Sequence, residues 1–284
     1  MHKSPFGLRC RPFPPLPDHP YASSSFEHAL AALTDALADG ETYVSLTGVP
    51  GVGKSLAGRL LVERLGGDSV YVNTAITSPT ALLQAILFDL RLPHEGRSPA
   101  EMHLAIVDRF LKQYSAGHKT TLVIDEAHLF SSATLEELRL LGNLEGTVQV
   151  VLIGQPSLIN NLDAPELASL RQRIAIRAVL EPMDIEESCD YVLHHLRIAG
   201  AAEGLIDSES LQMLAKATGG VPRLLNQAMN RAIRMAVVTE ADVIEAEVML
   251  EALIGLGLSV PEESDERRPM SSETCRIFAP ANRA

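Results

Sequence analysis

The sequence predicts an α/β fold, a parallel sheet covered by helices on both faces, followed by an all-helical subdomain. Three observations carry this. Short β-branched or aliphatic runs alternate with longer amphipathic stretches as far as Pro182, the pattern of consecutive βαβ units. Several of the short runs are apolar on both faces, as strands lying between two helical layers must be. Beyond Pro182 only helical periodicity remains.

Taken in order, the chain opens with six of its 17 prolines in the first 20 residues. Proline suits neither helix interiors nor sheet ladders, so residues 1–20 read as an extended arm. Strands are expected at Thr42–Gly48, Val70–Ala75, Thr120–Asp125, Val148–Gly154 and Ile174–Leu180. Helices are expected at Phe26–Ala38, Lys54–Leu65, Pro79–Leu90, Pro99–Tyr114 and Ala133–Leu144, which together make an α/β base over residues 21–182. A helical lid over 183–255 follows, with helices at Ile185–Ala199, Ser208–Thr218, Pro222–Val238 and Ala241–Leu253. Gly200 and Gly219-Gly220 stand where helices end, and Pro222 where one begins. Residues 256–284 are poor in apolar side chains and read as a disordered tail.

Composition narrows the class. At 284 residues the chain holds about two domains. Apolar residues make up 46% and charged residues 21%, so a core can form. Aromatics are only 4% and Trp is absent, so that core is aliphatic. A net charge of −12 argues against coating nucleic acid by bulk charge and leaves room for a local basic strip. Cys10, Cys189 and Cys275 form no CxxC pair, which suggests a reducing compartment. The start shows no apolar signal segment. The apolar stretch Ala252–Val260 is too short to span a bilayer. A cytoplasmic protein is expected.

Two motifs carry chemistry. Gly48-Val49-Pro50-Gly51-Val52-Gly53-Lys54-Ser55 fits GxxxxGK[ST], between an apolar strand and a helix that continues through Leu56. Loop and helix N–H groups face phosphates, and the helix dipole favours anions there. Lys54 is expected on the β- and γ-phosphates and the Ser55 hydroxyl on Mg²⁺, with ATP as the nucleotide. Downstream, Thr121-Leu-Val-Ile-Asp125-Glu126 ends an apolar strand in two carboxylates. Asp125 is expected in the Mg²⁺ shell and Glu126 on the attacking water. An adjacent Asp-Glu pair favours water over a second substrate as nucleophile.

Further residues fit around these. Gln155 follows the fourth strand and is expected to touch the γ-phosphate or the water. Arg171 and Arg173 precede the fifth strand; either one suits an arginine finger acting on a neighbouring subunit. Arg223 opens a lid helix, where its charge opposes the helix dipole unless an anion such as the γ-phosphate compensates. His128 reads as a capping or surface residue, and His194-His195 as surface.

Together these features resemble an AAA+ P-loop ATPase. More narrowly, Pro5-Phe6-Gly7-Leu8, Pro12-Phe13 and Tyr21, then LVIDEAH, VVLIGQPSL, LRQRI, YVLHHLRIAG and TGGVPRLLN, resemble the general secretion pathway A type ATPases over about residues 4–253. The resemblance implies a five-stranded parallel sheet, a C-terminal helical lid, nucleotide between base and lid, and a ring-like homo-oligomer formed with ATP. It also brings Tyr21 near the adenine. Secretion proteins of this type continue into a membrane helix, and no such segment follows the lid here. The same core is similar to DNA-transposition regulators, which recruit a transposase. Expected partners are therefore a secretion-system membrane protein or DNA with a transposase. A nucleotide-gated switch without turnover is a third expectation.

Overall fold

The apolar runs of the sequence become the strands of one sheet. The computed structural model describes residues 5–14, 17, 19–66, 68–73, 76–144 and 146–260. Within them β1 (Tyr43–Gly48), β2 (Asp68–Val72), β3 (Thr120–Ile124), β4 (Val148–Gly154) and β5 (Ile174–Leu180) pair in parallel in the order β2-β3-β4-β1-β5. Parallel pairing needs crossovers. They are supplied by α2 (Lys54–Leu65), α3 (Pro79–Asp89), α4 (Pro99–Ser115), α5 (Ser132–Leu141), α6 (Ser157–Leu162) and α7 (Ala168–Arg173), with α1 (Ser24–Ala38) leading into β1.

Side chains alternate across the sheet. Leu122, Ile124, Val150 and Leu152 enter one core with α3, α4 and α5; Val44, Leu46, Val123, Val151 and Ile153 enter a second with α1 and α2. The register brings the carboxyl ends to one level, with Val72 beside Ile124, Thr47 beside Gly154 and Gly48 beside Leu180. In open parallel sheets this edge is where ligands bind.

The lid consists of α8 (Ile185–Ile198), α9 (Ser208–Thr218), α10 (Pro222–Val238) and α11 (Ala246–Ile254) around Val192, Leu196, Leu214, Leu225 and Met229. Gly220 ties it to the base. Its N–H side lies at φ +70°, a Cβ there would collide with the Met183 carbonyl, and its own carbonyl accepts from Met183 N at 3.1 Å.

Four features depart from the sequence reading. The arm is not simply extended: Pro5–Gly7 makes a 3₁₀ turn, Arg9 N donates to Ala199 O at 2.8 Å, and Phe13, 1% exposed, completes the lid core. Two short helices, α6 and α7, occupy the β4–β5 connection; six residues each give too little periodicity to register in sequence. Helix α11 starts at Ala246 rather than Ala241, because Ile244 first bridges to Ile206 in extended backbone. The second strand runs Asp68–Val72 rather than Val70–Ala75, of which residues 74 and 75 lie outside the described set, as do Cys275 and most of the expected tail.

Phe13→Ala should therefore cost about 3–5 kcal/mol in urea unfolding, the range for a buried phenylalanine. Phe88→Ala, at a site 72% exposed, should stay within about 0.5 kcal/mol.

Candidate active site

Helix starts separate structural ends from functional ones. Among helices of ten residues or more, α1, α3, α4, α5, α8 and α9 have a Ser or Asp side chain accepting a first-turn N–H. The other two, α2 and α10, begin at Gly53 and Val221 without one. Both open onto a single cleft of about 530 Å³ at the carboxyl edge of the sheet, between base, arm and lid.

The loop from Gly48 to Gly53 turns its backbone around Lys54. Val49 is exposed, Val52 is buried, and Pro50, Ser55 and Leu56 line the cleft. Lys54 is only 7% exposed, and its Nζ donates to Gly48 O and Val49 O, each at 2.9 Å. Burial lowers its pKa, Glu126 and Asp125 push it back up, and Arg223 lowers it. Gly51 has φ +86°, and a Cβ on it would come within 2.7 Å of Arg223 Cβ. Its carbonyl accepts from Arg223 N at 3.2 Å, so the phosphate loop and α10 touch directly.

Asp125 is buried just beyond β3. Its Oδ1 accepts from Glu126 N at 2.9 Å, and its Oδ2 lies 3.1 Å from the Tyr71 hydroxyl, which also lies 3.1 Å from Ser55 O. Burial, then the charge of Asp125, push the Tyr71 pKa up, so the phenol stays protonated. Tyr71 thus bridges the carboxylate and the first turn of α2. Ser55 and Asp125 are hard oxygen donors of the kind Mg²⁺ takes beside phosphate oxygens. Among the described residues no three His, Cys, Asp or Glu side chains gather into a metal site of their own.

Glu126 has φ +54°, in the left-handed region, and its half-exposed side chain lines the cleft. His128 Nδ1 stands 3.4 Å from Glu126 Oε2, and its side chain is 8% exposed, so it is no surface residue. Gln155 and Arg223 line the same cleft, and so does Tyr21, edge-on to Tyr191 at 5.9 Å. Arg171 and Arg173 do not. Arg171 pairs with Asp163 at 3.1 Å on the surface, and Arg173 donates to Asn143 Oδ1 at 2.7 Å.

Residues 37–162 match the family described as an AAA domain. The general secretion pathway protein A of Aeromonas hydrophila is 35% identical over 82% of this chain and 44% of its own length. The ATP-dependent target DNA activator B of Escherichia phage Mu is 28% identical over 69% of this chain and 61% of its own. The chain thus spans about half the length of the curated relatives it matches. Among solved structures, Cdc6p of Pyrobaculum aerophilum superposes with a TM-score of 0.70 at 23% identity, over 86% of this chain and 70% of that one. Over residues 37–162 the chain has the fold of an AAA domain.

The AAA fold accounts for the five-stranded parallel sheet and for the helical lid that follows it. Several residues in and beside the cleft escaped the sequence reading. Tyr71 lies within an expected strand and outside the cleft lining, and only its pairing with Asp125 reveals it. Phe13, Tyr191 and Asn226 come together from the arm, α8 and α10, and no local motif announces that meeting. His195 is a correction: it is 4% exposed, with its ring 4.5 Å from Tyr191 and 5.7 Å from Phe13. It lies on the inner face of α8, whereas His194 turns toward Tyr21 at 5.6 Å.

Burial, with a smaller push from His194, lowers the His195 imidazole from 6.5 to about 4. Between those values the unfolded chain takes up a proton that the folded chain refuses. The contribution is full above about pH 6.5 and is lost as pH falls through about 4. Stability against urea should drop over that interval by about 3 kcal/mol from this group. The drop should be shallower in His195→Phe, measured at matched pH values.

Proposed function

We propose that the chain is a Mg²⁺-dependent ATP hydrolase that oligomerises with ATP and couples hydrolysis to assembly or remodelling of a partner. The observation that carries this is the meeting in one cleft of the uncapped start of α2, buried Lys54, Glu126 and Arg223 from the lid, with Asp125 buried behind Glu126. Free N–H groups at α2 suit the phosphates. Lys54, freed from the loop carbonyls, neutralises the β- and γ-phosphates. Ser55 and Asp125 hold Mg²⁺, which when bound screens phosphate charge. Glu126 orients a water and takes its proton as the water oxygen attacks the γ-phosphorus and ADP leaves. Gln155 and Arg223 contact the γ-phosphate, so its loss changes what holds α10 against the loop. The lid angle then follows nucleotide state.

Arg171 and Arg173 lie outside the cleft of their own chain, which supports a role for one of them in the cleft of a neighbour. Similarity to a secretion pathway protein supports a membrane secretion component as the partner, with the ATPase on the cytoplasmic side. No helix of the described residues is long and apolar enough to cross a membrane. Similarity to a phage target DNA activator supports a second reading, in which the ATP-bound oligomer binds DNA and recruits a transposase.

Lys54→Ala should weaken nucleotide binding by about 10-fold or more, the loss of a charge-assisted contact. Glu126→Gln should keep binding and lower phosphate release by about 100-fold or more. A wild type that binds ATP, assembles and never releases phosphate would identify a switch rather than an enzyme. Mixing is the test for the finger. Arg171→Ala or Arg173→Ala, whichever is inactive alone, should regain turnover when combined with Lys54→Ala, because one subunit supplies the arginine and the other the intact cleft. DNA binding that needs ATP and weakens with salt favours the second reading.

A further inference from the structure

One side chain links the two residues expected on the cation and belongs to neither of their motifs. Tyr71 stands on the edge strand β2, opposite Val123 of β3. Its neighbours Val70 and Val72 enter the core shared with α3 and α4, so its own ring turns to the opposite face, toward α2. There a single hydroxyl lies 3.1 Å from Asp125 Oδ2 and 3.1 Å from Ser55 O.

Helix α2 leaves room for that ring. Gly58 stands in its interior, where glycine is unfavourable. A Cβ there would come within 2.5 Å of Ile153 Cδ1, 3.0 Å of the Tyr71 hydroxyl and 3.3 Å of Tyr71 Cε2. Arg59, next along the helix, holds its guanidinium 6.0 Å from the ring centre. A phenylalanine would fill the same space, so packing explains the ring and leaves the hydroxyl unexplained. The hydroxyl has one proton and two acceptors, of which the carboxylate is the stronger. Asp125 thus accepts from Glu126 N–H on Oδ1 and from Tyr71 on Oδ2, and each oxygen keeps a further lone pair. Mg²⁺ tolerates little departure from octahedral geometry, so a carboxylate free to rotate serves it poorly. Groups that orient a ligand from behind are therefore part of such a site.

We propose that Tyr71 is a positioning residue for Mg²⁺, its hydroxyl fixing the Asp125 carboxylate against the first turn of α2, where Ser55 supplies the second donor. The inference rests on the Mg²⁺-ATP reading above and adds a residue that touches neither nucleotide nor metal.

The test is direct binding of a non-hydrolysable ATP analogue to the full chain, in EDTA and in Mg²⁺, with no turnover involved. Mg²⁺ should tighten binding to wild type. Tyr71→Phe should keep the EDTA affinity within about twofold, and the gain on adding Mg²⁺ should fall by about 10-fold, the lower end for a group behind a metal ligand. Asp125→Ala should lose at least as much of the gain. Adding Tyr71→Phe to it should change nothing more, because the hydroxyl acts through that carboxylate. An undiminished gain in Tyr71→Phe overturns the inference and leaves the ATPase reading standing. So does a loss in EDTA as large as the loss in Mg²⁺, or a Tyr71→Phe chain that no longer folds, since either makes the hydroxyl a support of the fold alone. A wild type that binds equally in EDTA and Mg²⁺ overturns the inference together with the metal roles of Ser55 and Asp125. One that binds in neither overturns the nucleotide reading as well.

Discussion

A buried ammonium group governs the geometry of this molecule. Lys54 sits at the head of α2 almost out of contact with solvent. An uncompensated cation there would cost several kcal/mol in lost hydration. Two carbonyls of the preceding loop compensate it at 2.9 Å, and they can point inward only because the loop wraps around the side chain. Wrapping turns loop N–H groups outward. The same curl that solvates the lysine therefore builds an anion site facing the cleft. The opposing charges, Asp125 and Glu126, reach it because β1 and β3 end at one level with β4 between them. The sheet order is thus part of the electrostatics.

The lid depends on the loop as well. Helix α10 lacks a capping side chain, and its Arg223 N–H finds the Gly51 carbonyl instead. Gly51 has no Cβ to hold Arg223 away. The two uncapped helices thus both bring their positive ends to the lining of one cavity. That arrangement repels itself unless an anion lies between, and Lys54 and Arg223 add to the repulsion. Asp125 and Glu126 offset part of it, and the remainder is a standing electrostatic preference for a polyanion.

Much of this was legible in the sequence, for local reasons. The loop residues 48–55 and the carboxylates 125–126 are contiguous words whose chemistry needs only a strand before them. Each strand was placed within a few residues, because β-branched runs bounded by turns leave little ambiguity. What stayed hidden depends on distant meetings. His195 is one residue from a partly exposed histidine, and nothing short of the packing of α8 against the arm separates them. Tyr71 becomes informative only when β2 lies beside β3. Arg171 and Arg173 were expected just before β5, and only the fold shows that they lie outside the cleft of their own chain, against Asp163 and Asn143.

The arm joins these facts together. Phe13 lies in the lid core, yet the chain continues through Ser23 into α1, which packs on the sheet. The chain therefore crosses between base and lid twice, near residues 20–25 and again near 181–187. The crossings are tied to one another: Ser24 N donates to Glu187 Oε1 at 2.8 Å and Glu181 N to the Ser25 hydroxyl at 2.9 Å. Gly220 against Met183 anchors the lid beside the same line. On the phosphate side the main-chain bond between Gly51 and Arg223 joins loop to lid. A lid with two covalent crossings on one side and a single main-chain bond on the other is held unevenly. The weaker side faces the Gly48–Gly53 loop, so whatever occupies that end of the cleft has the greater leverage over how lid and base meet.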